Sequence, residues 1–566
     1  MKHTVLIPAL SLSAAALLLA GCAAPGPRLT GPDLKSGCES LAGTTIAPER
    51  IVWPGLTSGA ARVDSATWMA PAPLAVAERG PTPAAMITPA APAYCKVLGR
   101  IAPVDPKAEP IQFQVNLPAQ WNGRSLQYGG GGFNGVLISG LGLLPAQRYD
   151  SPSPLMQGYA TVGTDSGHQA RPGEPPMAFA LNDEMLVNFA HAAYPKVRNV
   201  SVELMKLAYG RAPQYLYFAG SSEGGREGLT MAQRYPQAFN GIFSRVPVIN
   251  WTGLQFAGAR NGIALMDGGW LNPAQVKLVH EATLAACDGK DGVLDRVIAD
   301  PAGCLKTFDP ATLRCTAGQA ADACLSDKQI DAIRTLRAPY RFPYALANGV
   351  TEYPGWSIGG EDTPAFGATG GWRAWWTGAS APTLPPAADN GIAWVYGSGA
   401  LQYFYARDPK ADPRRITPES AAARVREVSA LMDSTDPDLR AFQQLGHKLI
   451  VLEHMSDYAQ SGFAGVRYLE SVQRRLGPRQ PAEFMRLYAA PGVDHVGSGA
   501  PALVDMLDVL VQWTEKGYAP RELDLVEQEA RPPFQVQRSR PLCQWPYWPR
   551  FNGGDAANAA SFSCVY

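Results

Sequence analysis

Gly220-Ser221-Ser222-Glu223-Gly224 follows an apolar run at residues 215–219 and leads into a helix-compatible stretch at residues 225–234. A G-x-S-x-G motif between a strand and a helix bends the chain sharply, because its small residues leave room for the turn. The middle serine is then exposed at the top of the sheet, where it can attack a substrate. The sequence therefore predicts Ser222 as a nucleophile.

A second match to this motif lies at Gly355-Trp-Ser357-Ile-Gly359. No strand-like run precedes it, and the glycine- and proline-containing residues 360–364 cannot begin a helix cleanly. Because short motifs also occur by chance, the flanking elements decide between the two matches. We interpret Ser357 as a loop serine.

Composition describes a large globular protein without net charge. The 566 residues exceed one ordinary domain, which predicts a large core with an insertion. Hydrophobic residues make up 46% of the chain and charged residues 17%, as in globular proteins. Lys plus Arg and Asp plus Glu both number 49, so no basic field for a nucleic acid is expected.

The first residues have the features of an export signal. Lys2 precedes an uncharged apolar stretch at residues 5–19, and small residues surround Cys22. This pattern predicts a lipoprotein-type signal peptide over residues 1–21, with a lipid on Cys22. An uncleaved membrane anchor is the alternative. Either way we expect export, to the cell envelope or periplasm on the lipid anchor or as a secreted protein.

The other eight cysteines are predicted to form four disulfides. An even number suits an oxidising compartment, and no two have the C-x-x-C spacing of a zinc site. Neighbours in sequence suggest Cys287 with Cys304, Cys315 with Cys324 and Cys543 with Cys564, which leaves Cys38 with Cys95.

Strand-like and helix-like segments alternate along most of the chain. Strand-like segments lie at residues 111–117, 124–128, 158–163, 215–219, 241–248, 448–452 and 484–489, with a crossover helix over 186–207. This alternation predicts an α/β fold with a doubly wound, mostly parallel sheet. The sheet is expected within residues 93–249 and 439–566.

Two segments interrupt this alternation. Residues 22–92 are rich in proline, alanine and glycine, and we interpret them as a tether and an N-terminal wrapping segment. Residues 250–438 contain four cysteines, an Asp/Gly cluster and proline-rich loops. Their composition predicts an inserted lid domain.

A serine hydroxyl needs a histidine to accept its proton and a carboxylate to orient that histidine. After a nucleophile elbow, the order along the chain is serine, acid, histidine, each after a strand. His495 follows the strand-like residues 484–489, and Asp457 follows residues 448–452. We therefore predict Ser222, Asp457 and His495 as the catalytic residues.

Three other residues compete for these roles. His454 also follows a late strand, and Asp494 directly precedes the predicted catalytic histidine. A residue next to a histidine rarely folds back onto its neighbour's ring. His168 precedes the elbow, against the usual order, so a structural role is expected for it.

An ester intermediate carries an oxyanion that needs two backbone N–H donors. One usually follows the nucleophile and one comes from an early glycine-rich loop, which predicts Glu223 and, from residues 129–132, Gly132.

The same loop matches G-x-G-x-x-G through Gly130, Gly132 and Gly135, with Asp150 twenty residues after the first glycine. This spacing is that of a dinucleotide site and would indicate an oxidoreductase. No convincing helix follows the loop, and Asp150 does not end a strand, so the context disfavours this alternative.

Taken together, these segments resemble the tannase and feruloyl esterase family. The resemblance runs from about Cys38 to the C-terminus and rests on five short matches, at residues 121–123, 220–228, 455–457, 491–495 and 540–543. It implies an α/β-hydrolase core with a large lid, and a serine carboxylic-ester hydrolase that acts on feruloyl, galloyl or tannin-type esters of aromatic acids through an acyl-enzyme.

The resemblance also implies a structural calcium ion in the lid. Its ligands would be the carboxylates of Asp288, Asp291 and Asp295 and the backbone carbonyls of Val293 and Val297, hard oxygen donors of the kind that Ca²⁺ prefers. From the residues alone, the segment is equally well explained as an Asp/Gly turn pinned by Cys287.

Two departures from the family pattern carry expectations. Family members typically join the nucleophile loop to the histidine loop by a disulfide, but Ser221 and Val496 stand at those positions. The triad is therefore expected to be held by packing alone. Relatives that hydrolyse terephthalate monoesters have a lid arginine for the free carboxylate, whereas residues 387–391 contain none.

Trp375 matches a lid aromatic that stacks on the substrate ring in this family, although the tryptophans at 372, 375 and 376 could equally form a lid core. Two alternatives to an aromatic-acid esterase stay open: a mono(2-hydroxyethyl) terephthalate-type hydrolase and a non-catalytic envelope protein that binds aromatic ligands.

Overall fold

The computed structural model describes residues 31–364 and 370–566. The predicted signal peptide at residues 1–21 and the predicted lipidation of Cys22 lie outside the described residues. Among the residues described, no helix has the length and apolar character needed to cross a membrane.

A ten-stranded mixed sheet forms the centre of the molecule. Its strands, in chain order, are β1 Thr45–Ile46, β2 Ala61–Met69, β3 Tyr94–Ile101, β4 Ile111–Pro118, β5 Arg124–Tyr128, β6 Ala160–Thr164, β7 Tyr215–Ser221, β8 Gly241–Arg245, β9 Lys448–His454 and β10 Met485–Ala490. Their spatial order is β1-β2-β3-β4-β6-β5-β7-β8-β9-β10. The strands β5 to β10 run parallel to one another, whereas β1 to β4 form an antiparallel edge next to β6.

Helices of two groups surround this sheet. Those outside the segment between β8 and β9 are α1 Gly31–Ser40, α2 Asp183–Val187, α3 Ala193–Tyr209, α4 Glu223–Arg234, α13 Phe463–Leu476 and α14 Met506–Lys516. Those between β8 and β9 are α5 Trp251–Ala264, α6 Pro273–Cys287, α7 Pro301–Thr307, α8 Asp327–Arg337, α9 Gly371–Trp375, α10 Ile392–Ala400, α11 Ala422–Met432 and α12 Arg440–Gln444. A π-helical turn at Asn188–Ala192 joins α2 to α3 within the predicted crossover.

Side chains that alternate along the parallel strands bury both faces of the sheet. In β7, Phe218 packs with apolar residues of α4 and α13, whereas Tyr217 and Ala219 pack on the opposite face with α14. Successive side chains of a strand point to opposite faces, so a strand covered on both sides reads as a continuous apolar run. This arrangement confirms the predicted doubly wound α/β fold.

The segment between β8 and β9 has its own apolar clusters. Trp251, Phe256 and Trp394 belong to one cluster, which also includes Phe133 from the glycine loop of the core. Trp356 and Trp376 belong to the second. The predicted lid region therefore packs directly beside the loop that follows β5.

Residues 31–92 contain more regular structure than their composition indicates. Within the segment predicted as a tether and wrapping segment, β2 pairs with β3 along most of its length. In β2 only Ala61 and Val63 are buried, so the alternation that marks a strand is too short to recognise.

The four predicted disulfides are confirmed: Cys38 with Cys95, Cys287 with Cys304, Cys315 with Cys324 and Cys543 with Cys564. Small two-stranded sheets complete the fold: Ala75–Val76 with Ile87–Thr88, Tyr340–Arg341 with Glu352–Tyr353, Leu523–Gln528 with Val536–Leu542, and Trp548–Phe551 with Phe562–Val565. Four disulfides are typical of a protein that lives outside the reducing cytoplasm.

Candidate active site

Ser222 occupies the sharp turn between β7 and α4. Its backbone has φ 61° and ψ −121°, a conformation that non-glycine residues rarely adopt. A Cβ at Gly220 would lie 2.3 Å from the carbonyl oxygen of Gly224, and one at Gly224 would lie 2.5 Å from that of Gly130. The glycines of the motif are therefore required, because the turn packs tightly against itself and against the loop after β5.

His495 connects the serine to a carboxylate. Its Nε2 lies 3.1 Å from Oγ of Ser222, and its Nδ1 lies 2.7 Å from Oδ2 of Asp457. The three side chains come from the loops after β7, β9 and β10, which end at the same edge of the parallel sheet. The structure thus brings the three residues predicted from sequence into one hydrogen-bonded chain.

The carboxylate of Asp457 is held by its own loop. Its Oδ1 accepts the backbone N–H groups of Ala459 at 2.7 Å and Gln460 at 3.0 Å, and its side chain is fully buried. Oδ2 is thereby directed at His495, whose Nδ1 donates to it. Nε2 of His495 is then the acceptor for the hydroxyl hydrogen of Ser222, the arrangement needed for general-base catalysis.

The competing residues have other partners. Oδ1 of Asp494 accepts the N–H groups of residues 496–498 and so shapes the histidine loop. Nε2 of His168 donates to the carbonyl of Phe133, and burial lowers the pKa of His168 to about 4. Nδ1 of His454 donates to the carbonyl oxygen of Asp494. Ser357 lies in the segment between β8 and β9, without a strand-turn-helix around it.

The glycine loop after β5 has one N–H group free at the site. The N–H groups of residues 129, 130 and 131 donate to Ala219, Glu227 and Asn134. Across the described part of the chain, the N–H groups of Gly132 and Glu223 have no hydrogen-bond acceptor, and both residues line a cavity with Ser222. These two amides can therefore stabilise an oxyanion.

The dinucleotide alternative finds no support in this loop. In the described chain no helix begins between β5 and β6, so the glycines do not open a helix N-terminus. Asp150 pairs instead with Arg148 and accepts a hydrogen bond from Gln528.

Glu227 anchors the glycine loop from within α4. Its Oε2 accepts the N–H of Gly130 at 2.9 Å, and its Oε1 accepts the amide of Asn134 at 2.6 Å and the hydroxyl of Tyr194. Burial, together with the charge of Glu223, raises the pKa of Glu227 to about 7. Glu227 was not predicted from sequence, since the fifth position after the nucleophile carries no motif of its own.

Arg245, the last residue of β8, braces the triad. Its side chain donates to Oγ of Ser221 at 2.9 Å, to the carbonyl oxygen of His495 at 3.2 Å and to Nε2 of His454 at 3.3 Å. The expectation that packing alone holds the triad is therefore wrong. Hydrogen bonds from a buried guanidinium join the two loops that lack the disulfide.

Two cavities meet at Ser222 and His495. A cleft of about 550 Å³ runs from the glycine loop to residues 143–149. A smaller pocket of about 50 Å³ is lined by apolar side chains, among them Phe133, Trp251 and Leu254. Trp375 and Tyr396 line both cavities.

The three lid tryptophans divide between two environments. Trp372 and Trp376 are buried in the lid cluster, whereas Trp375 is half-buried, with its ring centroid 6.1 Å from that of His495 and 6.1 Å from that of Tyr396. Trp375 therefore lies where it can contact a substrate. Tyr396 was not predicted, because a tyrosine in an apolar helix carries no sequence signal for a site.

The acidic loop after α6 has carboxylate and carbonyl oxygens of the kind that bind calcium, but its carboxylates already have hydrogen-bond or ion-pair partners. Asp288 accepts the N–H groups of residues 295–297, and Asp295 pairs with Arg540. Burial and the charges of Asp295 and Asp288 raise the pKa of Asp291 to about 6. Over residues 31–364 and 370–566, no group of three or more His, Cys, Asp or Glu side chains is arranged to hold a metal ion.

Comparison with known proteins agrees with this geometry. The model of the family described as tannase and feruloyl esterase matches residues 95–565, most of the chain. The chain belongs to the tannase and feruloyl esterase family. It is accordingly a carboxylic ester hydrolase, and the family resemblance inferred from its motifs is confirmed.

Similar proteins match this esterase over nearly their full lengths. An uncharacterized esterase of Agrobacterium fabrum is 34% identical and covers 93% of each chain. Mono(2-hydroxyethyl) terephthalate hydrolase of Piscinibacter sakaiensis is 30% identical, over 94% of this chain and 92% of its own. The crystal structure of feruloyl esterase B from Aspergillus oryzae is 24% identical, covers 94% of this chain and 100% of its own, and superposes with a TM-score of 0.73, which shows the shared fold.

Replacement of Glu227 by glutamine is expected to lower kcat for ester hydrolysis by about 10-fold to 100-fold, because the amide cannot accept all three hydrogen bonds that order the glycine loop. Because the pKa of Glu227 is raised to about 7, the native carboxyl takes up a proton as the pH falls through this value. The difference between wild type and variant should therefore shrink as the pH falls from 8 to 6.

Steady-state kinetics over this pH range provide the measurement. Asp433→Asn is the matched control, since Asp433 is also buried with a raised pKa but bonds to Thr252 and Ser429 instead of the glycine loop. Equal rates for wild type and Glu227→Gln at pH 8 would contradict the anchoring role.

Proposed function

We propose that this esterase cleaves esters of aromatic carboxylic acids through an acyl-enzyme on Ser222. The observation that carries the proposal is the hydrogen-bonded chain from Oγ of Ser222 through His495 to Asp457, with distances of 3.1 and 2.7 Å. This chain is the arrangement that makes a serine hydroxyl nucleophilic at neutral pH.

In the first half-reaction, Oγ of Ser222 attacks the ester carbonyl carbon as Nε2 of His495 accepts the hydroxyl proton. The carbonyl electron pair moves onto oxygen, and the N–H groups of Gly132 and Glu223 donate to the oxyanion. When the intermediate collapses, the bond to the alcohol breaks, and His495 transfers its proton to that leaving oxygen.

In the second half-reaction, water attacks the acyl-enzyme by the same route. His495 accepts a proton from the water and returns it to Oγ of Ser222 as the acid leaves. Asp457 stays ionised throughout and stabilises the imidazolium that forms twice per cycle.

The aromatic walls of the site support the choice of acyl group. Trp375 and Tyr396 line both cavities at Ser222, and Phe133 and Trp251 line the smaller one. Aromatic side chains bind a flat ring by stacking and edge contacts. Relatives whose names specify a substrate include feruloyl esterases and a tannin acyl hydrolase, which supports feruloyl or galloyl esters.

A terephthalate monoester is the second candidate, because one relative at 30% identity has that activity in its name. The residues that stand where terephthalate-monoester hydrolases have a lid arginine disfavour this substrate. Asp389 and Asn390 stand there, and the Asn390 side chain holds its own loop through Thr383 and Ala387.

We also propose that the chain is exported, with residues 1–21 as the signal peptide and a lipid on Cys22. The four disulfides support an oxidising compartment. The lipid anchor rests on the sequence pattern around Cys22 alone.

Replacement of Ser222 by alanine is expected to abolish turnover of methyl ferulate and p-nitrophenyl esters and to abolish labelling by a fluorophosphonate, because only an activated serine reacts. Ser357→Ala, at the second G-x-S-x-G match, should keep both properties. Circular dichroism checks that each variant is folded. A labelled, active Ser222→Ala protein would overturn the serine mechanism, and an unlabelled wild type would favour a non-catalytic binding protein.

Replacement of Trp375 by alanine is expected to raise KM for methyl ferulate and methyl gallate about 10-fold, since the ring loses a stacking partner. Hydrolysis of methyl butanoate should change little, and Trp375→Phe should retain most of the affinity for aromatic esters. Kinetics with the three esters give the comparison. An equal loss for the aliphatic ester would assign Trp375 to the lid core.

We propose that Asp288, Asp291 and Asp295, with the carbonyls of Val293 and Val297, hold a structural Ca²⁺. In the described chain these three carboxylates are not arranged as a metal site, so Asp288 and Asp295 would have to exchange their present partners for the ion. Their proximity on one loop supports the proposal, since a divalent cation would offset their mutual repulsion. Treatment with EGTA is expected to lower Tm by several degrees, and added Ca²⁺ but not Mg²⁺ should restore it. Asp291→Asn should abolish the response. A Tm that changes with neither EGTA nor Ca²⁺ would contradict the calcium site and favour the alternative, an Asp/Gly turn without a metal ion.

A further inference from the structure

Arg245 stands between two of the strands that carry the site. It ends β8, directly opposite Ser221 of β7 on one side and Leu452 of β9 on the other. Its backbone carbonyl accepts the N–H of Ser222 at 3.0 Å. The main chain of Arg245 therefore supports the nucleophile turn independently of its side chain.

The guanidinium reaches one segment from each member of the triad. It donates to Oγ of Ser221, the neighbour of the nucleophile, and to the carbonyl oxygen of His495 itself. Its Nε donates to Nε2 of His454, which lies at the start of the Asp457 loop. One rigid planar group thus joins three loops that are far apart in sequence.

The hydrogen bond to His454 connects Arg245 to the histidine loop by a second route. His454 accepts from Arg245 through Nε2, so its Nδ1 carries the hydrogen and donates to the carbonyl oxygen of Asp494 at 2.5 Å. The carboxylate of Asp494 in turn accepts the N–H groups of residues 496–498. The position of the histidine loop therefore depends on Arg245 at two separate points.

Burying this charge is unfavourable by itself. The residue is only 7% exposed, and its three acceptors are a hydroxyl, an imidazole nitrogen and a carbonyl oxygen, none of which is negatively charged. Burial lowers the pKa of Arg245 to about 10, so the side chain stays charged at neutral pH. Burial of such a charge is unfavourable unless its hydrogen bonds and the nearby carboxylates of Asp494 and Asp457 offset the loss of water.

Resting on the proposed serine mechanism, we propose that Arg245 is a positioning residue that keeps Oγ of Ser222 and Nε2 of His495 at proton-transfer distance. It acts where Ser221 and Val496 leave the two loops without a covalent link. Lysine cannot replace it, because a single ammonium nitrogen lacks the planar fork that reaches three acceptors at once. A misplacement of about 1 Å between reacting groups costs roughly 100-fold in rate.

The variant Arg245→Lys tests this role, with Arg260→Lys as the matched control. Arg260 also bonds several acceptors, the carbonyls of Thr335, Ala338 and Pro339, but none of these carries a triad residue. For each protein we would measure Tm, kcat and KM with a p-nitrophenyl ester, and the second-order rate of labelling by a fluorophosphonate.

For folded Arg245→Lys we expect kcat and the labelling rate to fall together by about 100-fold, with KM within about twofold of wild type. Arg260→Lys should keep both rates. Ser221→Ala, which removes one of the three bonds, should lower kcat by a few-fold, and its effect should be less than additive with that of Arg245→Lys.

Three results would overturn the proposal: an unchanged kcat in folded Arg245→Lys, a rise in KM alone, which would assign Arg245 to substrate binding, or an equal loss in Arg260→Lys. Should Arg245→Lys fail to fold, an unchanged kcat in Ser221→Ala would overturn it. Failure of the serine mechanism can be distinguished from these results, because the fluorophosphonate would then not label the wild-type protein.

Discussion

The whole site depends on the strained turn at Ser222. A non-glycine residue with φ near 60° costs on the order of 1–3 kcal/mol, so the turn persists only because its surroundings leave no alternative. β7 before it and α4 after it are packed on both faces of the sheet. Glycines at 220 and 224 approach neighbouring backbone within distances that exclude any side chain. Packing in the core thus holds the Ser222 hydroxyl, which is partly exposed, at the end of the sheet.

Buried charged groups then fix the loops that the turn must meet. Glu227 holds the glycine loop, Asp457 and Asp494 hold their own loops, and Arg245 joins the segments around all three triad residues. Each reaches backbone N–H or carbonyl groups that regular secondary structure leaves unpaired at strand ends. Because a buried polar group is costly without its partner, each contact has one well-defined geometry. The loops are ordered without a disulfide between them.

Local patterns predicted much of this site, and their failures have physical reasons. The strand-turn-helix around Ser222 and the order of Asp457 and His495 are readable because each follows a recognisable buried strand. β2 was missed because most of its residues stay partly exposed and break the alternation. Tyr396 and Arg245 were missed because their roles arise from contacts between distant segments, Arg245 with Ser221, His454 and His495.

The amino-acid sequence by itself determined the α/β class, the four disulfide pairs and the residues that stand in the triad, since these depend on short-range periodicity, cysteine spacing and motif order. Only the tertiary structure decided which N–H groups stay free for an oxyanion, which tryptophan faces the cleft and what binds the catalytic loops together. Those properties depend on distances between residues that are far apart in sequence, from 24 positions for Arg245 and Ser221 to 250 for Arg245 and His495, and no local pattern encodes such distances.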